Sequence, residues 1–133
     1  PMNFLRGQVQ SEDGSVKVKI GDFHLLPSEE MVEPLRGYDG KFIFVGIRAE
    51  NMETLASPVP DALAVTVEVV EPLGSQNLLT IRISEDVLKV STHPDFKVHA
   101  HETVYIRFPP AKIRWMDRDT GRAIAPSLDK VLA

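Results

Sequence analysis

At 133 residues the chain falls within single-domain size and can bury a core without covalent staples. A net charge of -4 gives no general attraction to phosphate backbones or anionic lipid, and the lack of cysteine excludes disulfides, thiolate metal sites and thiol nucleophiles. No apolar run approaches the roughly 20 residues of a membrane-spanning helix, and no charged start followed by an apolar stretch marks a signal peptide.

The chain opens Pro1-Met2-Asn3-Phe4 without an initiator methionine, which reads as a segment of a longer polypeptide. In "SVKVKI" Val16, Val18 and Ile20 fall on one face and Lys17 and Lys19 on the other, the period-two pattern of a half-buried strand. Ser28 can cap a short helical piece through Glu29, Glu30, Met31 and Val32, and Pro34 limits it to two turns. "FIFVGIR", Phe42 to Arg48, is apolar on both faces and predicts a central strand. The polar, proline-bearing "AENMETLASPVPDA" is the natural place to divide the strands into two sub-sheets. "AVTVEVV" alternates again, and "NLLTIRI", "VLKV" and "VYIRF" follow. At least six strands are readable, with turns at Asp13-Gly14, Asp39-Gly40, Gly74-Ser75 and Thr120-Gly121, so the pattern predicts an all-β barrel or sandwich of short antiparallel strands with at most one short helix.

Catalytic patterns are absent. There is no phosphate-binding G-x-x-x-x-G-K-[ST] loop, no G-x-S-x-G elbow and no H-E-x-x-H, so nothing here cradles a nucleotide phosphate, activates a serine or presents a helical zinc pair. His93, His99 and His101 come closest to a metal set, because His99 and His101 would share one strand face. Solvated surface histidines are the simpler reading, and no metal site is expected. Asp117, Asp119 and Glu102 could form an acid–base group, but Arg114, Arg118 and Arg122 stand nearby and favour surface ion pairs. "KIRWMDRDTGRAI", residues 112–124, holds the single tryptophan, Trp115, among these charges.

Four stretches in order, "PMNFLRGQV" at the start, "GIRAENM" at 46–52, "VEVVEPLGSQNLLTIRI" at 67–83 and "DRDTGRAI" at 117–124, resemble the C-terminal regulatory domain of ABC importer ATPases. The resemblance is to the maltose, trehalose and glycerol-phosphate type, whose tail carries a transport-associated OB (TOBE) segment. It implies an OB-like single regulatory domain over 1–133, with 1–50 and 104–124 in one sub-sheet, 62–103 as the TOBE-like segment and 125–133 as a C-terminal tail. It further implies a regulatory and dimerisation role with no catalysis in this segment, ATP and Mg being expected only in a nucleotide-binding domain. The implied partners are a second copy of the subunit, its own nucleotide-binding domain, the transporter's membrane subunits and a possible regulatory protein, but no nucleic acid. The location implied is cytoplasmic, peripheral to the inner face of the membrane. The alternatives are a molybdate-type oxyanion-binding domain, which needs a nest of N–H donors, and an oligonucleotide-binding OB module, which needs a basic face.

Residue by residue, Gly46, Ile47, Arg48 and Glu50 match the family's G-[IV]-R-P-E, while Ala49 stands in place of its proline. A glycine common in the turn before the last long strand is replaced by His101 or a neighbour. Arg48, Glu50, Arg114, Trp115 and Asp117 are the candidates for contacts with a partner or neighbouring domain, and Gly74, Thr120 and Gly121 are structural turns. For Arg48 and Glu50 a plain ion pair at the strand end is the competing reading. Trp115 is most simply a packing anchor, with a subunit contact or base stacking as its other uses.

Overall fold

A computed structural model describes residues 2–126. It contains ten strands: β1 (Met2–Glu12), β2 (Ser15–Ile20), β3 (Phe23–Leu25), β4 (Phe42–Arg48), β5 (Glu53–Leu55), β6 (Ala62–Pro72), β7 (Asn77–Ile83), β8 (Asp86–Thr92), β9 (Thr103–Arg107) and β10 (Arg114–Asp117). They form two five-stranded antiparallel sheets, ordered β10-β4-β1-β2-β3 and β5-β9-β6-β7-β8. The all-β, OB-like expectation holds. The inner faces of both sheets meet in one apolar cluster, including Leu5, Val18, Ile43 and Val45 from the first and Val67, Leu79, Ile81 and Ile106 from the second.

β1 is less obvious than β2 because its inward positions include Asn3 and Gly7. Gly7 is needed for space: a methyl group there would stand 2.5 Å from Cγ1 of Val18 on the neighbouring strand. β4 lies between β10 and β1, as the doubly apolar run predicts for an interior strand, yet the described residues cover only one of its faces. Ile43, Val45 and Ile47 are buried, whereas Phe42 is half exposed on the outer side.

The helical piece is a 3-10 turn at Glu29–Met31 running into α1 (Val32–Arg36). Ser28 does not cap it with its hydroxyl; its carbonyl accepts from the N–H of Met31 at 3.0 Å. Pro34 is accommodated at the third residue of α1, where an N–H would have no partner inside the helix. Met31 and Leu35 point into the core.

The division into sub-sheets differs from expectation at one strand. Residues 103–107 form β9, which pairs with β5 and β6 and so belongs to the second sheet; only β10 returns to the first. The reason lies in the turn that precedes β9. The N–H of His101 donates to the carbonyl of Val67 at 2.7 Å, and the N–H of Val67 to the carbonyl of Glu102 at 2.9 Å, where β6 carries a bulge between Val67 and Val69. These bonds lock β9 beside β6. The predicted tail, 125–133, lies outside the described residues from 127 onward.

Candidate functional site

Two places gather the candidate residues. The first is the passage from one sheet to the other, where β4 ends at Arg48, a 3-10 turn covers Ala49–Asn51, and β5 begins the second sheet. Ala49 and Met52 are buried while Arg48 and Glu50 are exposed. The competing ion pair does not form: among the described residues neither Arg48 nor Glu50 takes part in a salt bridge. Arg48 has φ -74° and ψ 147°, the extended geometry a following proline demands, and Ala49 opens the turn at the position where proline is tolerated. The backbone therefore has the shape a proline at 49 would require, with alanine at that position.

Asn3 ties this passage to the second sheet. Its side-chain amide donates to the carbonyl of Lys89 at 2.7 Å and accepts from the N–H of Lys89 at 3.0 Å. The same amide nitrogen lies 3.7 Å from the sulfur of Met52. Asn3 thus serves the edge of β8 as a substitute strand and satisfies backbone groups that would otherwise be unpaired. Sequence reading missed it, although a lone asparagine among inward-facing apolar positions is the signal.

The second place is the hairpin corner after β10. One carboxylate oxygen of Asp117 accepts the N–H groups of Asp119 at 2.8 Å and Thr120 at 2.9 Å, and its carbonyl accepts the N–H of Gly121 at 2.9 Å. The hydroxyl of Thr120 accepts from the N–H of Arg122 at 3.2 Å. Gly121, at φ 72°, and Gly74, at φ 88° in the β6–β7 corner, occupy the left-handed region that glycine enters without steric cost. Asp119 contributes its N–H rather than its carboxylate. The second carboxylate oxygen of Asp117 accepts the hydroxyl of Tyr38 at 2.7 Å, a partner 79 residues away that sequence reading did not find. That hydroxyl, followed by the Thr120 N–H, holds the Asp117 carboxyl below the usual range, and the same bond raises the Tyr38 hydroxyl above its own.

Trp115 packs within this fold. It is 3% exposed and sits opposite Val45, so its ring offers no surface for a subunit contact or a stacked base. Its indole N–H has no hydrogen-bond partner among the described residues. Arg114, next to it, is exposed on the opposite face of the sheet.

The histidines do not converge. His99 and His101 lie in the turn before β9 rather than on a strand face; His99 faces Glu102, and His101 adopts φ 75°, the left-handed conformation that favours glycine. His93 contacts Asp95. Among the described residues no three His, Asp or Glu side chains are grouped so as to hold a metal, and Asp117, Asp119 and Glu102 likewise form no common site. No described helix is long and apolar enough to cross a membrane.

Comparison with known proteins agrees with this architecture. The family model "MalK OB fold domain" matches residues 1–52, and the model "TOBE domain" matches 45–116. Their overlap, 45–52, spans the end of β4 and the turn at which the chain changes sheets. The sulfoquinovosyl glycerol transport ATP-binding protein SmoE of Agrobacterium fabrum is 32% identical over 125 residues, covering 92% of this chain and 33% of that protein. The trehalose/maltose import ATP-binding protein MalK of Thermococcus litoralis is 33% identical over 131 residues, covering 93% and 34%. The chain therefore spans about a third of the length of the curated relatives it matches. Among solved structures, the cytoplasmic molybdate-binding protein ModG aligns with a TM-score of 0.61 over 85% of this chain and 94% of that one, at 11% identity, a likeness of fold alone. With its OB-type first sheet and the TOBE match over 45–116, the chain belongs to the TOBE-domain family found in ATP-binding subunits of sugar and glycerol-phosphate ABC importers.

Proposed function

We propose that the chain is the regulatory and dimerisation domain of an ABC importer ATP-binding subunit serving a sugar or related solute. The observation that carries this reading is the pair of family matches, contiguous from residue 1 to 116 and joined where the chain passes between sheets. In this role the domain pairs with its copy in the second subunit and keeps the two halves together while the nucleotide-binding domains open and close. A persistent contact of this kind makes their reassociation intramolecular, raising the effective concentration of each for the other. Catalysis, with ATP and Mg, belongs to the nucleotide-binding domain, to which this domain joins and through which it reaches the membrane subunits at the inner, cytoplasmic face. A regulatory protein is a further partner. Arg48, Glu50, Arg114 and Asp117 remain the exposed or half-buried contact candidates.

Calorimetric titration of the chain with Mg-ATP tests the assignment of catalysis elsewhere: no saturable binding at micromolar concentration is expected, and saturable binding overturns it. The likeness to ModG motivates a parallel titration with molybdate, in which tight binding would replace the regulatory reading with an oxyanion-binding one.

A further inference from the structure

We propose that the outer face of the first sheet is a docking surface for a protein partner whose contact region is apolar at the centre and acidic around it. This goes beyond the pairing of two copies and does not rest on it. Period-two alternation places Met2, Phe4 and Arg6 of β1, Phe42 and Phe44 of β4, and Met116 of β10 outward together. Phe44 stands directly opposite both Arg6 and Met116, and Phe4 stands opposite Gly46, so the apolar side chains run in one diagonal band. Phe4 lies down on the sheet: a Cβ at Gly46 would be 3.3 Å from its Cε1 and 3.5 Å from the sulfur of Met2. Even so, Phe4 remains 49% exposed and Phe42 51%.

Around the band stand Arg6, Lys17, Lys19, Arg48 and Arg114, all at outward positions of the same sheet. Among the described residues the only acid at an outward strand position of this sheet is Glu12, at the far end of β1, and Asp86 of the second sheet accepts the N–H of Arg6 at 3.3 Å. Arg6 has Glu85 at 3.5 Å; among the described residues the other four cations form no ion pair. In a chain of net charge -4 this is a local concentration of positive charge. Aromatic residues, methionine and arginine are the residues that interface centres favour. Charge complementarity then specifies the partner. A second copy applying the same face would set cations against cations, which disfavours it. A nucleic acid would leave the methionines and Phe44 without an apolar counterpart.

The test uses fluorescence anisotropy with three labelled probes: a peptide of about ten residues alternating Glu and Phe, its Lys–Phe counterpart, and oligo(dT). Wild-type chain should bind the Glu–Phe peptide saturably and the Lys–Phe peptide not at all. Phe4→Ser with Arg114→Glu should weaken that binding about tenfold or more. Lys17→Glu with Arg48→Glu, at exposed or half-exposed positions where folding is little affected, should also weaken it, while Val87→Ser on the second sheet should change nothing. The proposal is overturned if the Glu–Phe peptide fails to bind or binds both double variants as well as wild type. Tighter binding of oligo(dT) through these residues would reassign the face to nucleic acid, and loss of self-association in the variants would reassign it to the second copy.

Discussion

The two sheets present opposite solutions on their outer faces. On the second, the charged side chains neutralise one another: Arg82 meets Glu68 at 2.9 Å, Lys89 meets the Thr80 hydroxyl at 2.6 Å and Glu71 at 3.4 Å, and Arg107 meets Glu53 at 2.7 Å and Asp61 at 2.8 Å. On the first, among the described residues Arg6 is the one outward cation with an acidic partner, and three phenylalanines lie among the others. The lesson concerns averages. A net charge of -4 describes neither face, and the absence of basic attraction read from composition holds for the whole chain but not for this sheet.

That contrast is confined to the outer faces, and core substitutions sharpen the point. Trp115→Ala in the first sheet and Ile81→Ala in the second should each destabilise strongly, by about 3 to 5 and 2 to 5 kcal/mol respectively in urea unfolding, because both are buried in one shared cluster. If Trp115→Ala left stability unchanged and abolished self-association, the tryptophan would belong to an interface after all. The link between the sheets comes next. Asn3→Ala should cost about 1 to 3 kcal/mol by leaving the Lys89 N–H and carbonyl unpaired at the β8 edge, visible as faster amide exchange at Lys89. An overpacking test follows: Gly7→Ala should cost about 1 to 3 kcal/mol, since Val18 is a stiff, fully buried neighbour.

Smaller effects probe the neutralised face and the corner. Arg107→Gln should lower the melting temperature slightly at low salt and not at all at high salt, as expected for exposed ion pairs. At Asp117 the folded carboxyl titrates below its unfolded value, so its contribution to stability is present above the ordinary carboxylate range and disappears as pH falls through the folded pKa. Tyr38→Phe should move the Asp117 midpoint, followed by carboxyl NMR, upward toward the ordinary value. An unchanged midpoint would show that backbone N–H groups alone hold it down.

Sequence made the fold legible wherever strands alternate cleanly, as in β2 and β6, and wherever a turn needed a left-handed residue, as at Gly74 and Gly121. It was weaker where tertiary contacts decide. β9 reads like any other strand, and it is its pairing with β5 and β6, flanked by the bonds of the His101 turn to the β6 bulge, that assigns it to the second sheet. The turn at Thr120-Gly121 was readable, but the bond of Asp117 to Tyr38 was not, because nothing in local spacing joins residues so far apart. "FIFVGIR" shows the same limit from the other side. An apolar run on both faces predicts an interior strand correctly, but cannot reveal that one face is left uncovered by the described residues.

The most direct test of the regulatory and dimerisation reading is sedimentation equilibrium of the chain over a concentration series, run on wild type and on the Phe4→Ser, Arg114→Glu double variant. The mass should rise toward twice the monomer in wild type, and pairing retained in the double variant would place it on a surface other than the cationic face. A strictly monomeric wild-type chain at millimolar concentration would contradict the self-association role.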